Sequence, residues 1–207
     1  MAERKKPSPL MTEEQLKQVT VGELKPFESV ITLVEYDKKW RENFAREAQR
    51  IKAALGARAL TVEHVGSTSV PGLMAKPIID ILLVVADSAD EPSYVPALEA
   101  AGYVLRIREP EWHQHRLFKG PDTNINLHVF TQGSEEVQRT LLLRDWLRTN
   151  EADRELYART KRELAGKRWR YVQNYADAKS EVIEAILARA KASIQRDESL
   201  GRPNPRR

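Results

Sequence analysis

Cysteine is absent from the 207-residue chain, which excludes disulfides and thiolate metal sites. No apolar run approaches the roughly 20 residues that a membrane helix needs. The longest, residues 78–86, is interrupted by Asp80 and reads as a buried strand. No apolar stretch follows the basic residues of positions 1–11, so no secretory signal is expected. These absences fit a cytoplasmic location and no membrane partner. What is present is an apolar content of 41%, enough for one ordinary core.

The net charge is +4, and its placement matters more than its size. Arg4, Lys5 and Lys6 outnumber Glu3 at the start. Arg196, Arg202, Arg206 and Arg207 outnumber Asp197 and Glu198 at the end. Each end therefore carries about +2 and the region between is near neutral. A nucleic-acid-binding surface needs basic residues clustered on a folded face, so nucleic acid is the weakest partner. Residues 1–12 and 195–207 hold prolines and little large apolar surface, and are expected to be disordered tails around a single domain at 13–194.

Thr12 followed by Glu13, Glu14 and Gln15 resembles a capping box that opens a short helix to Val19. Residues 30–36 are β-branched and predict a strand. Asp37 would cap a helix to about Leu55 whose apolar face is Trp40, Phe44, Ala48, Ile51 and Leu55, stopped by Gly56. Strands are expected at 60–65, 78–85, 103–107, 115–119 and 125–130, with a short helix at 92–101. From Ser134, taken as a helix cap, the pattern predicts helices at 135–148, 152–165 and 177–194. This order implies an α+β fold with a mixed sheet and a helical C-terminal subdomain.

The chemistry concentrates in residues 62–85. Gly66 permits positive φ and close approach to a ligand. Ser67, Thr68 and Ser69 add hydroxyls and amides suited to phosphate oxygens, and Lys76 adds a positive charge. Asp80 sits among Ile78, Ile79, Ile81 and Leu82, where a carboxylate is costly unless paired or bound to a cation. The rival reading is a capped turn with Asp80 paired to a buried arginine. Arg144 and Arg148, one helical turn apart, could clamp phosphate or pair with Asp145 and Glu151. Tyr157 with Lys161 and Tyr175 with Lys179 are i,i+4 pairs; each tyrosine is more often a core-edge residue. Glu111, Trp112, His113 and His115 make a weak metal-loop pattern, without a fourth ligand.

The stretch HVGSTSVPGLMAKPIIDI at 64–81 resembles the GrpB family, and NLHVF at 126–130, LRDWLR at 143–148 and ELYARTKRELA at 155–165 agree in order. The resemblance implies a nucleotidyltransferase-like palm. Gly66, Ser67, Thr68 and Ser69 would hold phosphate, with Arg144, Arg148, Lys161 and Lys179 as further contacts. Lys76 and Asp80 would be the catalytic pair. Asp80 would bind a divalent cation, Mg²⁺ or Mn²⁺, helped by His64, Asn126 and His128. The implied ligand is a nucleotide or phosphorylated small molecule, and the implied reaction metal-assisted nucleotidyl transfer. The chain departs from that pattern at Leu82, where active enzymes of this type have a second acid, and two-metal transfer relies on paired carboxylates. The alternative is a non-catalytic ligand-binding or interaction module linked to coenzyme A metabolism.

Overall fold

A computed structural model describes residues 10–199. Helix α1 (Glu13–Val19) opens with the full capping box between Thr12 and Gln15. Strand β1 (Ser29–Val30) precedes α2 (Lys39–Leu55), β2 (Thr61–Val65), β3 (Ile79–Val85), α3 (Val95–Ala100), β4 (Val104–Glu109), β5 (His115–Lys119) and β6 (Ile125–Thr131). The remainder is helical apart from β7 (Arg168–Trp169): α4 (Glu135–Thr149), α5 (Glu151–Ala165), α6 (Val172–Asp177) and α7 (Ser180–Ser199). Five strands form one sheet in the order β2-β3-β6-β5-β4. Only β3 and β6 run parallel, so the sheet is mixed. The fold is the expected α+β arrangement of a mixed sheet with a helical C-terminal third.

Strand alternation gives the two faces different tasks. Ile79, Ile81, Leu83 and Val85 of β3 and Ile125, Leu127 and Val129 of β6 face α2 and α3 in the main core. Trp40, Ile51 and Leu55 of α2 complete it, Phe44 packing at its edge. On the other face Val65, Leu82, Val84 and Phe130 pack against Val137 of α4. Asp80, Asn126 and His128 share this second face. The register pairs Asp80 with Asn126 and Leu82 with His128, so the polar groups alternate with buried apolar ones.

Several expected elements change. The strand expected at 30–36 is reduced to a two-residue pairing of β1 with β7 and a lone bridge between Val34 and Ala75. β-Branched residues need a continuous partner strand to form a ladder; among the described residues this segment meets those two short pairings and one further bond, from the Ile31 amide to the Ala165 carbonyl (3.3 Å). The helix expected at 177–194 starts three residues later, as α7, after a turn at Ala178–Lys179 that follows the unexpected short helix α6, and it runs on to Ser199, taking in the start of the expected C-terminal tail. Ser134 makes no cap hydrogen bond, and its buried hydroxyl has no partner among the described residues. At the other end, Met11 donates to Asp177 Oδ2 (3.1 Å) and accepts from Asn174 Nδ2 (2.9 Å), so Met11 and the capping Thr12 belong to the fold. Positions 1–9 and 200–207 of the expected tails lie outside the described residues.

Candidate functional site

β2 ends at Val65 and the chain turns at Gly66, with φ 66° and ψ −171°, into a 3₁₀ turn over Ser67–Ser69. This backbone region is essentially glycine-only. A side chain would also not fit: a Cβ on Gly66 would lie within 2.9 Å of Asp80 Cβ and Cγ, and nearer still to Oδ2. The turn is thus pressed directly onto the carboxylate. The first amides of such a turn have no acceptor within it.

Asp80 Oδ1 accepts from Asn126 Nδ2 at 2.8 Å and lies 3.7 Å from His128 Nε2. Asn126 Oδ1 in turn accepts from Lys119 Nζ. Burial alone would raise the Asp80 pKa, but His128, Asn126 and Lys76 outweigh it and hold the carboxyl below its usual range. His128 Nδ1 meets His115 Nε2 at 3.0 Å, and His115 Nδ1 meets Glu109 Oε2 at 2.6 Å. Burial lowers the His115 pKa to about 4, against the pull of Glu109.

A cavity of about 550 Å³ opens over this face. Its floor is Asp80, Asn126 and His128, and its wall carries Lys76, Lys119, Lys161, Lys179 and Arg106. Lys161 is only 2% exposed; it donates to the Met74 carbonyl and lies 5.3 Å from the Tyr157 ring. Lys76 and Lys179 both approach the Tyr175 ring, at 5.4 and 4.6 Å, and the buried Tyr175 hydroxyl has no partner among the described residues. Burial, then Lys179, lowers the Lys161 pKa to about 7 and that of Lys76 to about 8, with Asp80 opposing. Burial likewise lowers Lys119 and Lys179. Helix α1 and the chain after it close one side through Leu16, Thr20 and Leu24.

The structure therefore brings together Gly66, Ser67, Thr68, Lys76, Asp80, Asn126, His128, Lys161 and Lys179. It separates four other expected residues from them. His64 pairs with Ile81 and so points to the opposite face, where it stacks on Phe44 at 4.8 Å and bonds Thr68 Oγ1 at 3.0 Å. Burial lowers its pKa to about 4. Ser69 turns its hydroxyl back to the Gly66 carbonyl (2.6 Å). Arg144 bonds Glu63 (2.7 Å) and the His64 carbonyl (3.1 Å), and Arg148 bonds the Ser69 carbonyl (3.0 Å). Both arginines thus tie α4 to β2 and to the turn. Among the described residues no three His, Cys, Asp or Glu side chains form a metal cluster, so the 111–115 loop is not one either.

Lys119 was not legible as a site residue. Its sequence signal is alternation with His115 and Leu117 on β5, which identifies a face only once the register with Asn126 is known.

The GrpB protein family model matches residues 30–189. The chain belongs to the GrpB family. A UPF0157 protein of Halalkalibacterium halodurans is 64% identical over 88% of this chain and 93% of its own. The crystal structure of the conserved protein GrpB from Enterococcus faecalis superposes with a TM-score of 0.68 at 32% identity, covering 79% of this chain and 99% of that one. The dephospho-CoA kinase of Mycolicibacterium paratuberculosis is 32% identical over 64% of this chain but only 39% of its own length. No helix among the described residues is long and apolar enough to cross a membrane.

Proposed function

We propose that the GrpB cleft binds a nucleotide or another phosphorylated small molecule, with its phosphates over the Gly66–Ser67 turn and against Lys76, Lys161 and Lys179. The observation that carries this reading is the lysine wall. Lys76, Lys119, Lys161 and Lys179 line one cavity with the sheet carboxylate Asp80 at its floor. Their lowered pKa values mean that the empty cleft disfavours their charges. A polyanion would relieve that cost and be held by charge-assisted hydrogen bonds.

Asp80 and His128 fit one divalent cation. They offer a carboxylate oxygen and an imidazole nitrogen whose 3.7 Å separation is too long for a hydrogen bond. With so many lysines nearby, the cation would arrive with the phosphates and complete its shell from them and from water. It would polarise a phosphoryl oxygen. Lys76 and Lys161 would neutralise phosphate charge, and Asn126 would orient Asp80. One carboxylate supports one cation, so the usual two-metal nucleotidyl transfer is the less favoured activity, Leu82 standing where its second acid would be. The second reading, a binding module for coenzyme A precursors, is favoured by the similarity to part of dephospho-CoA kinase and uses the same phosphate chemistry.

The test is calorimetry of the full chain with ATP, inorganic triphosphate and dephospho-coenzyme A, with and without Mn²⁺. Binding lost in a Lys161→Met, Lys179→Met double variant is expected. Absence of binding by all three ligands, or binding indifferent to those lysines, would sink the proposal. Preference for dephospho-coenzyme A would select the second reading.

A further inference from the structure

The turn between β4 and β5 reaches the cavity in a way that phosphate chemistry does not use. Trp112 sits on it and lines the same cavity as the lysine wall. Two features of this turn are costly. His113 and Gln114 are consecutive residues in the left-handed region, at φ 52° and 53°, which few non-glycine residues adopt. Trp112 itself is 44% exposed, a large apolar ring left in water. The turn is nevertheless tied down. The His115 amide donates to the Trp112 carbonyl at 3.0 Å. The Gln114 carbonyl accepts from the buried Ser88 Oγ at 2.8 Å and from the buried Arg116 Nη1 at 2.9 Å. Backbone strain held in place by its surroundings gathers at ligand clamps. Here it presents an exposed indole to a charged cavity.

The ring geometry shows what that indole lacks. His128, His115 and Phe130 form a stack, His115 lying 18° from His128 and 22° from Phe130. Trp112 stands roughly perpendicular to it, at 87° to His115 and 71° to Phe130, and at 78° to His113. Among the described residues no ring lies parallel to the indole. Ile107 of β4 pairs with Leu117 of β5, and both line the cavity with Phe130, so its Trp112 end is apolar. Ring-to-ring steps of 5.3 and 5.2 Å lead from Trp112 through His115 to His128 beside Asp80. One small molecule spans that distance. We propose that Trp112 is the platform on which a planar heteroaromatic ring of the ligand stacks, so that the cleft selects phosphorylated molecules bearing a nucleobase-like ring over phosphates without one. This rests on the phosphate reading of the cleft and deepens it. A flat indole with no parallel neighbour suits a flat ring, and stacking tolerates any base because every base has a π-face.

Calorimetry of the full chain with ATP and with inorganic triphosphate tests it, in the wild type, Trp112→Leu and Trp112→Phe. The wild type is expected to bind ATP about tenfold or more tighter than triphosphate, the scale of one base stacked on one ring. Trp112→Leu should lose that advantage and keep its triphosphate affinity. Trp112→Phe, which keeps a ring, should retain part of it. Tryptophan fluorescence gives a second readout. ATP should quench the wild-type emission, triphosphate should not, and the quench should shrink in Trp112→Phe. That quench decides by itself if Trp112→Leu does not fold. Equal wild-type affinities for the two ligands, an ATP advantage that survives in Trp112→Leu, or no quench by ATP would overturn the platform and leave the phosphate site standing. A matched loss of both ligands in Trp112→Leu would also overturn it, since it marks a structural role for the turn. A wild type that binds neither ligand would remove the phosphate reading as well.

Discussion

Gly66 and Asp80 constrain each other, and two substitutions separate what each contributes. Gly66→Ala forces a side chain into a backbone region that costs about 1–3 kcal/mol, and its methyl collides with the Asp80 carboxylate. Stability measured by urea denaturation should fall by at least that amount, and phosphate binding should fail because the turn must move. A variant as stable as the wild type would show that the turn is not pressed onto Asp80. Asp80→Asn keeps the shape but removes the sheet anion at the cavity floor, leaving Lys76, Lys119, Lys161 and Lys179 facing one another. The expected loss is about 1–3 kcal/mol at pH 7, the range for a charged partner in a hydrogen-bonded network. Because the folded pKa of Asp80 lies below its ordinary value, its stabilisation is present above the unfolded pKa and fades as pH falls through the folded one. The wild-type advantage should narrow in acid. A constant difference across pH 2–7 would place the effect elsewhere.

At the scale of elements, α4 works as a brace. Arg144 joins α4 to Glu63 and to the His64 carbonyl of β2, and Arg148 joins it to the turn at Ser69. Arg144→Met should lower stability by about 1–3 kcal/mol, since it strands the acceptors it served. It should leave the salt dependence of phosphate binding unchanged, because the guanidinium does not face the cleft. A shallower salt dependence would mean that Arg144 contacts the ligand after all. The segment after α1 acts as a strap on the other side. Thr20 bridges to Ile107, and the Val21 amide bonds the Arg106 carbonyl. The cavity wall is therefore assembled from both ends of the described chain, with the sheet between them.

For the whole molecule, the cleft is a reservoir of displaced protons. The unfolded lysine value is 10.5, against about 7 for Lys161 and about 8 for Lys76 when folded. Between these limits the unfolded chain binds more protons, so the contribution of these two groups to stability rises with pH from about 7 to about 10. A phosphorylated ligand favours the charged lysines. Binding should take up protons and weaken as pH rises from 7 to 9. Titration calorimetry at pH 8 in two buffers of different ionisation enthalpy measures that uptake. No uptake, or proton release, would show that these lysines are not what holds the ligand.

Read along the chain, the strongest local signals were those with short-range causes. The capping box at Thr12, the amphipathic face of α2 and the Gly66 turn followed by a lone aspartate in an apolar strand depend on neighbours a few residues away. They determined that the chain has an α+β fold and singled out Asp80 as the carboxylate of an otherwise apolar strand. Tertiary structure decided which polar residues join Asp80. A shift of one position along a strand exchanges the faces of a sheet, so His64, next to Val65, lies behind the sheet while Asn126 and His128 lie in front. It also decided that Arg144 and Arg148 bond β2 and the turn at Ser69, that Lys119 enters the cleft and that Glu109 stands behind His115. Each of those facts depends on strand order and register across the sheet or on how α4 packs against it, and contacts between residues so far apart in sequence leave no periodic trace in it.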